Sequence, residues 1–163
     1  MRTLDGHQLI EQLGIDYFKE GSSFGALSDE AIRYLIEKGN VLQLEKGEQV
    51  FAYGDPGDSF YIVLKGRIKF LKPRKRKSGY NHIRDYTFGQ EFGCIAMIGL
   101  HERVGSNFAV EDSTIVQVSC GLFHALHEAL PTDFGMLLLN LSRELARRLR
   151  ESDSKLGEHD IHL

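Results

Sequence analysis

Hydrophobic residues fall into three successive patterns along the chain. Over residues 1–40 they recur at helical spacing: Leu9, Ile10 and Leu13 predict one short helix, and Ala31, Ile32, Leu35 and Ile36 share one face of another. Ser28 is placed to cap this second helix, and Asp29 and Glu30 suit the positive end of its dipole. Lys38-Gly39 closes it, the glycine suiting a left-handed position. From Val41 to Ser119 the period drops to 2. Short β-rich runs (41–44, 49–53, 59–64, 67–71, 82–88, 106–110 and 114–118) alternate with turn signals such as Lys46-Gly47-Glu48, Gly54-Asp55-Pro56-Gly57-Asp58 and Lys65-Gly66. Strands this short and this densely punctuated predict a closed or double-sheet β architecture rather than βαβ units. Gly66 fits a hairpin turn that needs a positive φ.

From Gly121 to about Lys155 helical spacing returns, with Phe134, Leu138, Leu141, Leu145, Leu149, Ser152 and Leu156 at three- and four-residue steps. Such a stripe either covers the β unit or forms a two-helix seam between subunits. Arg143, Arg147, Arg148 and Arg150 suit the negative end of the helix dipole. The fold class expected is therefore α+β, mainly β, divided into an N-terminal helical segment (1–40), a β-roll (41–119), C-terminal helices (120–157) and a tail (158–163).

Composition narrows the class further. The chain has 163 residues, 42% hydrophobic and 26% charged, which suits one soluble globular domain. No apolar run reaches the length of a membrane span, and the first residues lack a signal-peptide block. Cys94 and Cys120 are too few for a disulfide framework, so a reducing cytoplasm is the expected compartment. Net charge is −3, yet Lys65, Arg67, Lys69, Lys72, Arg74, Lys75, Arg76 and Lys77 form a run without an acidic residue. A solvated hairpin with lysines alternating outward accounts for this run more simply than a polyanion site does.

The segment from Phe88 to Gly99, followed by Arg103-Val104-Gly105-Ser106, carries the chemistry. A strand ends at glycine and a short apolar turn begins at Gly93. Amides at the start of such a turn attract an anion, and an arginine nearby adds a charge-assisted contact to phosphate. With the upstream Lys46-Gly47-Glu48-Gln49-Val50-Phe51 and Gly54-Asp55-Pro56-Gly57-Asp58-Ser59-Phe60-Tyr61-Ile62-Val63, this segment resembles the cyclic nucleotide-binding domain family over residues 28–157.

The resemblance implies a jelly-roll barrel flanked by N-terminal helices and a long C-terminal helix, as in the catabolite-regulator branch. It implies a cyclic phosphate on the cassette amides and Arg103, with Phe92, Gly93, Ile95 and Ala96 in the cassette and Val104 and Gly105 at its small-residue positions. Cys94 departs from the pattern, because the family usually has a ribose-binding glutamate there; neither Glu91 nor Glu102 is in register to replace it. Ile83, Arg84, Ser152 and Asp153 match the base-contacting positions, and Arg84 favours a guanine base. The function expected is a stand-alone regulatory module that closes its C-terminal helix over cAMP or cGMP, with no other cofactor. A homodimer through that helix and an unidentified protein partner are expected to receive the signal. The alternative is a degenerate member acting as a scaffold or binding another ligand.

Other chemistry finds less support. The chain ends at Leu163 without a helix-turn-helix, so no sequence-specific DNA reading is expected, nor any membrane contact. His124 and His127, like His159 and His162, sit three apart without a third ligand, so no metal site is expected. No nucleophile elbow, phosphate-binding Walker loop or paired-carboxylate motif indicates an enzyme. Cys94, between apolar neighbours, reads as a small buried residue ahead of a reactive thiol.

Overall fold

The structure, a computed structural model, describes residues 1–74 and 78–158. Strands and helices form three layers. After β1 (Arg2–Leu4) come α1 (Gly6–Leu13), α2 (Ile15–Lys19), a short 3-10 turn (Ser22–Phe24) and α3 (Asp29–Lys38). The β unit comprises β2 (Asn40–Leu44), β3 (Gln49–Phe51), β4 (Ser59–Lys65), β5 (Ile68–Pro73), β6 (Tyr80–Tyr86), β7 (Glu91–Phe92), β8 (Ser106–Ala109) and β9 (Ser113–Ser119). Helix α4 (Cys94–Gly99) interrupts it, and α5 (Cys120–Ala129) and α6 (Pro131–Glu158) follow it. Two antiparallel sheets result, ordered β1-β2-β9-β4-β7 and β3-β8-β5-β6.

Strand β4 shows why the layers stack in this order. It is apolar at almost every position because both of its faces are covered. Tyr61 and Val63 point between the sheets, where they join Leu44, Phe51, Ile68, Tyr86, Phe92 and Ile115. Phe60, Ile62 and Leu64 point the other way, against Phe18, Phe24, Ile32, Leu35, Ile36, Leu126, Leu137 and Leu141. The five-stranded sheet is thus the middle layer, with the helices on one side and the four-stranded sheet on the other.

Most local expectations hold. Ser28 caps α3 by accepting from the Ala31 amide, and Ala31, Ile32, Leu35 and Ile36 are all buried. Gly66 turns the β4–β5 hairpin with φ +85°. Gly39 differs: its φ is −72°, not left-handed, and glycine is required because a Cβ would overlap the Leu35 carbonyl and the Val116 side chain. The short β1, β7 and α2 carry too few residues to show a period. The residues Lys75, Arg76, Lys77, His159 and His162 singled out above lie outside the described residues.

The C-terminal stripe divides. Phe134, Leu137, Leu141 and Leu145 pack on the core, whereas Leu138, Leu139, Leu149 and Leu156 stay exposed. Pro131 starts α6 at the position where a proline needs no hydrogen bond. Polar contacts then pin the helix to the N-terminal segment. Asp133 accepts from the amide and hydroxyl of Ser28 at 2.7 and 2.9 Å. Buried Asn140 donates to the carbonyls of Gly25 (2.7 Å) and Ser23 (3.3 Å). Asn140→Ala strands both carbonyls and is expected to destabilise the fold by about 1–3 kcal/mol, read as a lower urea midpoint at unchanged slope.

Candidate functional site

Between the sheets, beside α4, lies a partly open cavity of about 110 Å³. Phe51, Phe70 and Tyr86 supply aromatic walls; Gly93, Ile95, Ala96, Val104 and Gly105 form the cassette side. Three basic side chains reach it: Arg103, Lys72 and Arg148.

Arg103 is 3% exposed. Its guanidinium donates to the Gly93 carbonyl at 2.8 Å and to the Ser59 carbonyl at 2.7 Å, and lies 4.2 Å from the Phe51 ring centroid. All these hydrogen-bond partners are neutral, so the charge remains unneutralised by direct pairing. Burial draws the Arg103 pKa below its usual value, although a guanidinium stays charged at any physiological pH. Its Nε is buried and has no acceptor among the described residues. Gly93 makes the arrangement attainable. It adopts φ +87°, and a Cβ there would crowd the Arg103 guanidinium.

Cys94 faces away from this cavity. It is fully buried in the core between sheet and helices, and burial, reinforced by Glu91, pushes its thiol pKa up, so the thiolate is disfavoured. Phe92 is core too, stacked on Tyr61 and Tyr86 with centroids 5.1 and 5.4 Å away. Ile83 is exposed, Arg84 pairs with Glu151 of α6 at 3.4 Å, and Ser152 donates to the Arg148 carbonyl of its own helix. None of these three lines the cavity, whereas Gly93, Ile95, Ala96, Arg103, Val104 and Gly105 do. Asp153 is exposed on α6, and Glu102 lies at the surface beside Tyr53 and His101.

Several wall residues escape a reading of motifs, among them Asn107, Phe70 and Arg148. Asn107 lies at the inward position of β8; Phe70 shares that alternation on β5. Arg148 was expected among the surface cations of α6. It is instead 7% exposed, with its guanidinium 5.0 Å from the Tyr86 ring centroid and 2.7 Å from the Glu91 carboxylate. It also donates to the Glu91 carbonyl (2.6 Å) and to Glu144 (3.3 Å). Alternation would have revealed Asn107, but only the docking of α6 reveals Arg148.

Glu91 is almost fully buried, and neither carboxylate oxygen has a hydrogen bond of ordinary geometry despite the ion pair. Burial therefore outweighs the attraction of Arg148 and raises the Glu91 pKa. Burial likewise pushes the Tyr86 hydroxyl up to about 12. Glu144, partnered by Arg147 and Arg148, shifts the other way, its pKa lowered although its partial burial pulls upward.

With this geometry in view, comparison with known proteins places the chain. Residues 41–129 match the family model described as "Cyclic nucleotide-binding domain". The chain belongs to this family. It is 31% identical to the cyclic AMP receptor protein of Thermus thermophilus over 112 residues, 68% of this chain and 49% of that protein. It is 29% identical to a lysophospholipase of Chaetomium globosum over 109 residues, 67% of this chain but only 7% of that much longer protein. A crystal structure of a cyclic nucleotide-binding domain from Methylobacillus flagellatus superposes with TM-score 0.83 at 23% identity, covering 99% of this chain and 90% of that one. The family's fold is therefore present nearly end to end. Among the described residues no helix is long and apolar enough to cross a membrane.

The raised Glu91 pKa has a definite consequence for stability. A carboxyl whose folded pKa exceeds its unfolded value adds stability below the unfolded value, lost as pH rises through the folded one. The unaltered protein should therefore gain stability, relative to Glu91→Gln, as pH falls from neutral towards the ordinary carboxylate range. Glu144 shifts the opposite way and shares Arg148 with Glu91, so the two proteins are compared in a Glu144→Gln background, where only Glu91 differs. Urea midpoints of the two proteins across this window check the sign.

Proposed function

We propose that this domain binds a cyclic nucleotide between its sheets and reports occupancy through α6. The observation that carries this reading is Arg103, a buried guanidinium at the cavity wall whose hydrogen-bond partners among the described residues are neutral oxygens and whose Nε has no acceptor among them. A cyclic phosphate supplies the missing negative charge, and a charge-assisted pair inside the barrel is stronger than its counterpart at the surface. The rings of Phe51, Phe70 and Tyr86 offer apolar cover for the rest of the ligand.

The cavity is smaller than the roughly 300–1,000 Å³ of ordinary ligand sites, so binding entails expansion. Arg148 is the part of the wall that α6 carries, and Glu91 holds it in place. Ligand entry displaces Arg148 from Glu91, and α6 shifts with it. A ligand drives such a change only through its higher affinity for the shifted state. The base preference is left at the level of the class, because Arg84 is engaged by Glu151 outside the cavity. The reading assigns regulated binding rather than catalysis.

The outward face of α6 supplies a receiver for that motion. Gly135, Leu139, Ser142, Ala146, Leu149, Asp153 and Leu156 are all exposed at the 4-3 spacing of a coiled-coil seam, with Leu139, Leu149 and Leu156 as its large apolar members. We read this face as the homodimer contact. Leu149→Glu should turn a dimer into a monomer in light scattering, and an unaltered protein that is monomeric at high concentration would remove the contact.

Calorimetry with cAMP and cGMP tests the binding itself. At least one is expected to bind, and Arg103→Gln to weaken it by about a hundredfold or more. No heat from either nucleotide with the folded unaltered protein favours the scaffold reading, for which the small cavity and the position of Cys94 are the supporting observations.

A further inference from the structure

The inner wall of the cavity carries one polar side chain with no partner for its amide. Asn107 lies on β8 between β3 and β5, opposite Phe51 and Phe70. Its neighbour Phe108 faces outward, beneath the Lys69 ammonium, and Ala109 faces into the barrel core. Alternation along the strand therefore puts Asn107 on the inward side with Ala109. It is 1% exposed and lines the cavity together with Arg103. Its Nδ2 has no acceptor among the described residues, and neither has the Nε of Arg103.

Most inward strand positions in this barrel are apolar, among them Leu42, Leu44, Val63, Ile68, Ala109 and Ile115, and the inward polar side chains of Ser59 and Gln117 are hydrogen-bonded. A buried amide donor without an acceptor destabilises a fold, whereas a valine of similar size at this place would not. The amide therefore has a use that folding alone does not supply. Beside Arg103, a neutral donor strengthens the hold on an anion without the repulsion that a second cation would bring. We propose that Asn107 is a ligand-contacting specificity residue, whose carboxamide donates to an acceptor oxygen of the phosphorylated ligand held by Arg103. This rests on the cyclic-nucleotide reading and deepens it. With Cys94 at the start of α4 turned into the helix-facing core, Asn107 supplies a polar ligand contact from strand β8 instead. The ligand class that fits is a phosphate ester presenting an acceptor oxygen towards β8.

Asn107→Val tests this with two independent readouts on the full chain. Without ligand, the variant should melt about 2–5 °C above the unaltered protein, because an unpaired buried donor is gone. In calorimetry it should bind cAMP or cGMP about tenfold more weakly. Asn107→Asp, which swaps the donor for a carboxylate beside Arg103, should weaken nucleotide binding further. A variant valine that melts lower than the unaltered protein, or binds the nucleotide equally tightly, overturns the assignment. If the unaltered protein binds neither nucleotide, the preceding reading falls and takes the Asn107 contact with it, whereas nucleotide binding that is unchanged by Asn107→Val overturns the Asn107 contact alone.

Discussion

A single buried guanidinium organises this molecule. Arg103 sits between the sheets, held by carbonyls from β4 and from the residue before α4, with the Phe51 ring against its face. Isolated charges in such a place are expensive, and proteins keep them only when they are hydrogen-bonded and have a counter-charge. Here the hydrogen bonds come from the protein and direct charge neutralisation does not. Gly93 in its left-handed conformation, the turn into α4 and the open wall beside Arg103 all serve to present this charge to a space inside the barrel.

The second buried guanidinium solves the same problem differently. Arg148 brings its charge from α6 and finds a carboxylate waiting, Glu91, on the short strand β7 just before the cassette. A buried pair of this kind adds little net stability, since desolvation consumes most of the attraction, but separating it is costly. It is therefore better suited to specifying a position than to strengthening the fold. The position it specifies is that of α6 against the barrel, reinforced towards the N-terminus of the helix by Asn140 and Asp133. One end of α6 is thus pinned to the N-terminal helices, and its middle is held by a contact at the cavity wall.

Much of this was legible before any coordinates. Seven of the nine strands, the capped helix at Ser28 and the turn at Gly66 follow from period and turn chemistry, and the motifs around Gly93 and Arg103 point to the family. The remainder resisted for physical reasons. The two remaining strands, β1 and β7, are three and two residues long, too short to show a period. The stripe on α6 looked like one surface because helical spacing does not separate a core-facing row from an adjacent exposed one. Arg148 and Arg84 exchanged their expected places: one entered the barrel wall, the other paired with Glu151 outside it. Cys94, at the position of the family's sugar contact, is the small buried residue that its apolar neighbours indicate, and it lies in the helix-facing core.

The most direct test of the central claim is a crystal structure of the protein grown with saturating cAMP or cGMP. A phosphate oxygen within hydrogen-bond distance of the Arg103 guanidinium, with Arg148 drawn away from Glu91 and α6 displaced, is the predicted result. A nucleotide lodged elsewhere, or an Arg148–Glu91 pair unchanged beside a bound phosphate, would contradict it.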